Sequence, residues 1–213
     1  MIPFLLDGPE NAPATLVLAH GAGAPMDSPF LQTVAAAIAR RGFRVARFEF
    51  PYMHHRRSTA GRPRPEKASR GAPDRLPVLK ETWMQVIEHF GRERLVIGGK
   101  SMGGRIASMV ADEAKVAGLV CLGYPFHPPG RPEKLRVAHL AALETPSLIV
   151  QGTRDPLGSK DEVAGYSLSA AIRIAWIEGG EHSFKPPARG PGTEPGNLTL
   201  AVEAVVEFLS RRL

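Results

Sequence analysis

Arg94-Leu95-Val96-Ile97-Gly98-Gly99-Lys100-Ser101-Met102-Gly103-Gly104-Arg105-Ile106-Ala107-Ser108-Met109-Val110 runs from a short apolar strand, through a serine flanked by glycines, into apolar residues at helical spacing. The pentapeptide Gly99-Lys100-Ser101-Met102-Gly103 fits G-x-S-x-G, and strand, G-x-S-x-G, helix is the order of a nucleophile elbow. A strand that reverses this sharply forces the serine into a strained backbone conformation, with its hydroxyl held clear of the chain. Gly99-Lys100-Ser101 also looks like the end of a phosphate-binding loop. That reading fails on spacing, because the first glycine of G-x-x-x-x-G-K-[ST] falls on Arg94, and positions 95–98 read as strand.

A serine hydroxyl needs a base to take its proton. Of the seven histidines, His182 has the right place. It follows the alternating β-branched and aromatic run Ile172-Arg173-Ile174-Ala175-Trp176-Ile177 and the loop Glu178-Gly179-Gly180-Glu181, and it precedes the terminal helical pattern. His54, His55, His89 and His139 read as surface or satisfied core residues. The imidazole needs an acid to fix its tautomer. Asp155 fits, at the end of the turn-rich Gln151-Gly152-Thr153-Arg154-Asp155 after the strand Ser147-Leu148-Ile149-Val150. Asp161 and Glu162 are alternatives in sequence, but they fall in what reads as the next helix. The chain order Ser101, Asp155, His182 differs from the chymotrypsin and subtilisin orders.

The oxyanion of a tetrahedral intermediate needs N–H donors. One is expected from Met102. The other is expected from Ala22 in His20-Gly21-Ala22-Gly23-Ala24, a small-residue loop after the strand Thr15-Leu16-Val17-Leu18-Ala19. Gly23 is expected beside the substrate, and His20 is read as a structural residue that orients the loop. The loop is not a dinucleotide fingerprint: the third glycine is missing, and Pro25 sits where a helix would begin.

These segments, with Phe50-Pro51-Tyr52 and Gly123-Tyr124-Pro125-Phe126-His127, resemble the α/β-hydrolase superfamily, in the neighbourhood of the dienelactone-hydrolase-like enzymes. More closely, the chain is similar to the predicted bacterial hydrolases related to the KANL/TEX group. The resemblance spans nearly the whole chain and implies the same Ser101, Asp155, His182 and oxyanion assignments. Serine stands where dienelactone hydrolases carry a cysteine, so that specific activity does not follow. The expected activity is hydrolysis of a carboxylic ester or thioester through an acyl-enzyme. A hydrolase-like binding module that keeps the fold, and an amidase or peptidase with the same machinery, are the alternatives.

At 213 residues and 43% hydrophobic content the chain can bury a full core, and no linker divides it. A single domain over residues 1–213 is therefore expected. Strands are predicted near residues 3–6, 14–19, 43–50, 94–98, 116–122, 147–151 and 172–178. Helical patterns lie between them, which makes an α/β fold with a mainly parallel sheet of about six or seven strands, covered on both faces. One helix is predicted from Ser28 as N-cap to a stop at Gly42, a second carries Leu79 to Phe90, and the last starts at Asn197. The one cysteine, Cys121, lies in a predicted strand and reads as a buried hydrophobe. The opening Met1–Asp7 has too short an apolar run for a secretory signal, and no stretch approaches a membrane span. A cytoplasmic protein acting on a small-molecule ester or thioester is expected, with no metal, cofactor or membrane partner.

Residues 52–75 hold seven Lys or Arg against two acids, so most of the net charge of +6 resides there. A solvated basic loop is the expectation; nucleic acid is disfavoured because no interleaved aromatics offer stacking platforms. A second reading brings His54, Arg56 and Arg57 to the rim of the site, where they would favour acidic substrates. Only 22 residues separate Tyr124 from Ser147, too few for a cap domain, so the site is expected to be open. Tyr124, Phe126 and His127 either line its entrance or belong to a Pro-rich loop packed against the core.

Overall fold

A computed structural model describes residues 2–58, 72–190 and 192–212. Among these residues seven strands form one sheet: β1 (Phe4–Asp7), β2 (Thr15–Ala19), β3 (Arg44–Phe48), β4 (Leu95–Lys100), β5 (Gly118–Leu122), β6 (Ser147–Gly152) and β7 (Ile172–Ile177). Their order is β1-β3-β2-β4-β5-β6-β7. All pairs are parallel except β1 with β3 at one edge.

The continuous apolar runs are explained by burial on both faces, as a parallel sheet requires. Side chains alternate across the sheet. Leu16, Leu18, Val96, Val120 and Val150 pack beneath α1 (Pro29–Ala39) and α7 (Glu194–Ser210), against Leu31, Ile38, Val205 and Leu209. Val17, Phe48, Ile97, Cys121 and Ile149 turn to the other face, beneath α3 (Leu76–Phe90) and α4 (Met102–Ser108), against Trp83, Ile87 and Ile106. Cys121 is buried, and burial pushes its thiol up.

Three local expectations change. Ser28 occupies the N-cap of α1, but its side chain makes no capping bond; Pro29 in the first turn and the Ser28 carbonyl accepting from Gln32 N–H start the helix instead. The basic segment is not loop from its start, since Pro51–Ser58 forms α2; Arg62, Arg64, Glu66, Lys67 and Arg70 lie outside the described residues. The last helix begins at Glu194, where the Thr193 hydroxyl accepts from Gly196 N–H. Asn197 lies inside it, and its amide donates 2.7 Å to the Phe184 carbonyl. Two short helices, α5 (Ala111–Ala114) and α6 (Lys160–Val163), complete the set. Residues 123–146 hold one 3-10 turn, Ala138–Ala142, and no cap domain.

The parallel strands all end on one side. The turns after β2, β4, β6 and β7 therefore meet there, carrying residues 20–24, Ser101, 153–159 and 178–185. A doubly covered parallel sheet gathers its loops at this carboxyl edge and places a crevice among them.

Candidate active site

Ser101 follows the last residue of β4 and precedes the first of α4, with φ 51° and ψ −115°. A side chain at positive φ stores about 1–3 kcal/mol of strain, held in place by its surroundings. Here the Ser101 N–H donates 3.0 Å to the Leu122 carbonyl, and the Ser101 carbonyl accepts from Arg105 N–H at 3.0 Å. The elbow also presses against the turn after β2. A Cβ on Gly103 would lie 2.5 Å from the Ala19 carbonyl oxygen and 2.7 Å from that of His20, so only glycine fits.

The Ser101 hydroxyl lies 2.9 Å from His182 Nε2, and His182 Nδ1 lies 2.8 Å from Asp155 Oδ2. With Nδ1–H donating to the carboxylate, Nε2 is left as the acceptor for the seryl O–H. Asp155 is fully buried, and three donors hold it. Oδ1 accepts the Leu157 N–H at 2.8 Å; Oδ2 accepts the Gln151 amide at 2.8 Å besides the imidazole. Gln151, itself fully buried, also accepts the Tyr124 N–H at 2.7 Å through its carbonyl. Asp161 stays outside this network, and Glu162 closes a capping box with Ser159.

Lys100, the variable residue of the elbow, reaches across to the histidine loop. Its Nζ donates 2.7 Å to the His182 carbonyl and lies 5.5 Å above the Phe30 ring. Burial lowers its pKa to about 8, against the pull of Asp155 and Glu181. The loop is further pinned where Glu181 N–H donates to the Lys185 carbonyl and Arg154 N–H to the Gly180 carbonyl.

The turn after β2 rests on His20, which is fully buried. Its Nε2 accepts the Phe50 N–H at 3.1 Å, so Nδ1 carries the proton and donates 2.7 Å to the Gly21 carbonyl. Burial holds this imidazole below its usual range, as the neutral tautomer demands. Tyr52, in the first turn of α2, donates to the Ala22 carbonyl at 3.1 Å. Ala22 is thereby held beside Ser101, which it joins in lining both clefts described next. Met102 N–H is the first of α4 and has no acceptor within its own helix.

Two clefts meet at Ser101. One, of about 440 Å³, is bounded by Gly21–Ala24, Phe30, Lys100 and His182. The other, of about 350 Å³, is bounded by Ala22, Met102, Leu76, Arg105, Arg136 and Leu157.

The expected substrate contacts divide. Gly23 lines the larger cleft. Tyr124 and Phe126 are 0% exposed and His127 is 3% exposed, so they do not line an entrance. They pack in the core, where the Tyr124 hydroxyl donates to the Arg136 carbonyl and His127 bonds the Pro128 carbonyl and faces Glu162. Arg57 is not at the rim either. Its guanidinium pairs with buried Glu49 at 2.8 Å and with Asp27 at 3.0 Å, bracing the far end of the turn after β2. Arg56 is exposed on the same helix, and neither arginine lines the two clefts.

A second serine–histidine contact exists, with the Ser108 hydroxyl 2.8 Å from His139 Nε2. Ser108 donates its own proton to the Arg105 carbonyl at 2.7 Å, so the hydroxyl accepts from the imidazole rather than yielding to it. Ser108 is 2% exposed, at the far end of α4, and lines neither cleft. Among the described residues no cluster of His, Cys, Asp and Glu could hold a metal ion, and no helix is long and apolar enough to cross a membrane.

A mostly parallel sheet with a serine, a histidine and a buried carboxylate in series at its carboxyl edge defines the α/β-hydrolase class of protein. The model of the alpha/beta hydrolase domain matches residues 12–210, and the chain belongs to that family. Its fold is shared with Est1E from Butyrivibrio proteoclasticus, solved with ferulic acid bound (15% identity, TM-score 0.71, covering 99% of this chain and 95% of that one). It is also shared with dienelactone hydrolase from Anabaena variabilis (21% identity, TM-score 0.71, 99% and 91%). A third such structure is a serine hydrolase without a lid from Xanthomonas campestris (18% identity, TM-score 0.66, 99% and 88%).

Proposed function

We propose that the protein is a serine hydrolase that cleaves a carboxylic ester or thioester through an acyl-enzyme. The observation that carries this reading is the series of two short hydrogen bonds, 2.9 and 2.8 Å, linking Ser101 to His182 and His182 to Asp155. Ser101 Oγ attacks the scissile carbonyl while His182 Nε2 takes its proton. Asp155 stabilises the imidazolium, and the N–H groups of Met102 and Ala22 receive the developing oxyanion. As the tetrahedral intermediate collapses, the imidazolium protonates the departing alcohol or thiol. Water, deprotonated by the same imidazole, then attacks the acyl-enzyme, releases the acid and returns the proton to Ser101.

Two open clefts without a cap suit a short acyl group, or one displayed on a larger molecule. The test is a panel of acyl esters, thioesters and amides hydrolysed by wild type and Ser101→Ala. Turnover of the esters or thioesters that falls by on the order of a millionfold in the variant is expected. Turnover that survives in Ser101→Ala, or a wild type active on the amides alone, rejects the proposal.

A further inference from the structure

The smaller cleft beside Ser101 has an unusual charge arrangement. Arg105 lies one turn along α4 from the nucleophile, and Arg136 approaches from the loop before the 3-10 turn; both line the cleft with Ser101. Each carries a positive charge that repels the other, and burial together with Arg136 holds the Arg105 guanidinium below its usual basicity. Among the described residues neither side chain has an ion pair or a hydrogen bond, and Arg105 Nε is buried without any acceptor. Among the described residues the one carboxylate lining the cleft is Asp74, which accepts the Tyr52 N–H at 2.9 Å through one oxygen and pairs with neither arginine. The other polar groups that face Arg105 are the Tyr124 phenol and the His139 imidazole, neither of them an anion; burial raises the first and lowers the second.

Buried donors almost always have partners, and planar guanidinium forks fit carboxylates in pairs. Arg105 Nε, shut off from water without an acceptor, and the half-exposed Arg136 beside it therefore offer donors next to the nucleophile that an anionic ligand would fill. The two clefts also differ in what they offer the reaction. His182 must protonate the leaving group, and it borders only the larger cleft, so the leaving group belongs there. The acyl chain then extends into the smaller one. Residues i and i+4 of a helix sit about 5–6 Å apart at Cβ, so an anion on the acyl chain a few atoms from its carbonyl comes within reach of Arg105.

Resting on the hydrolase reading above, we propose that Arg105 and Arg136 form a carboxylate-binding subsite, and that the substrate is a half-ester or half-thioester of a dicarboxylic acid. The test has two arms. Calorimetry on Ser101→Ala measures binding of the product glutarate and of its neutral-ended counterpart valerate. Kinetics on the wild type compares the mono-4-nitrophenyl ester of glutarate with 4-nitrophenyl valerate, each corrected for spontaneous hydrolysis.

Glutarate is expected to bind at least tenfold more tightly than valerate. Adding Arg136→Gln or Arg105→Gln should remove that preference, with circular dichroism verifying the fold. In kcat/KM, each arginine variant should lose at least tenfold more on the glutarate ester than on the valerate ester. Equal binding of the two acids, or equal losses on the two esters, overturns the subsite. Because the calorimetric arm needs no turnover, it decides the subsite even if no ester is cleaved, and a wild type that cleaves both esters equally removes the subsite while leaving the hydrolase intact.

Discussion

Gln151→Glu should convert a pH-indifferent contact into a pH-dependent one. The Gln151 amide nitrogen lies 2.8 Å from Asp155 Oδ2, and both residues are fully buried. A carboxyl group in that place, once ionised, would face the Asp155 carboxylate in a fully buried site, so it stays protonated in the native state. Protonated, it imitates the amide: its O–H donates to Asp155, and its carbonyl accepts the Tyr124 N–H. It lacks only the second amide hydrogen, for which the Tyr124 and Gly158 carbonyls lie 3.2 and 3.1 Å away, a loss of about 1 kcal/mol. In the unfolded chain the same carboxyl ionises near pH 4.3. The native state therefore binds one proton more than the unfolded state above about pH 4.3, and stability falls by about 1.4 kcal/mol per pH unit until the raised native pKa is reached. Between pH 5 and pH 7 that amounts to roughly 2–3 kcal/mol. Urea denaturation of wild type, Gln151→Glu and Gln151→Leu at pH 5, 6, 7 and 8 measures it. The leucine variant, which strands the Tyr124 N–H, should show a constant deficit of about 1–3 kcal/mol. A difference between Gln151→Glu and wild type that does not grow with pH would refute the reasoning.

Asp155→Asn should leave the fold in place but offer the imidazole the wrong hydrogen-bonding partner at Nδ1; kcat for an ester should fall roughly 10⁴-fold, measured by steady-state kinetics. His20→Ala should cost about 1–3 kcal/mol by stranding the buried Phe50 N–H. It should also remove part of the acid sensitivity of the fold: with its folded pKa lowered, His20 favours the native state above about pH 6.5 and opposes it as the pH drops below that value, which denaturation midpoints from pH 5 to 8 follow. Lys100 titrates near pH 8 in the folded protein against 10.5 in the unfolded chain, so it opposes folding while charged in the native state and ceases to do so at high pH. Lys100→Met should therefore change stability relative to wild type by an amount that becomes less favourable to the variant between about pH 8 and pH 10.5, read from thermal midpoints across that range.

The elbow was legible because three independent requirements coincide within seventeen residues: an apolar strand, glycines where backbones touch, and helical spacing afterwards. His182 and Asp155 were legible by position, since loops after consecutive parallel strands must gather at one edge. The cleft lining was not. Arg105 reads as an ordinary helix residue and Arg136 as loop. Only the packing of the segment after β5 against α4 brings them together, and chain separation conceals that. Tyr124 and Phe126 left two readings open, a rim or a Pro-rich loop packed against the core, and the second holds: Gln151 draws the Tyr124 backbone inward through two hydrogen bonds, and the rings follow it into the core. Arg57 belonged to a segment that looked uniformly basic and solvated, yet buried Glu49 engages it. Gln151 had no signal beyond its place at the end of a strand. A polar residue there is common, and its role appears only once the carboxylate beside it is seen.

Labelling with a fluorophosphonate followed by tryptic peptide mapping tests the assignment of the nucleophile most directly, because cleavage after Lys100 and Arg105 separates Ser101 from Ser108. A phosphonyl adduct on the Ser101–Arg105 peptide, absent from Ser101→Ala, is the predicted result. An adduct on the Ile106–Lys115 peptide, or none on the folded wild type, would contradict it.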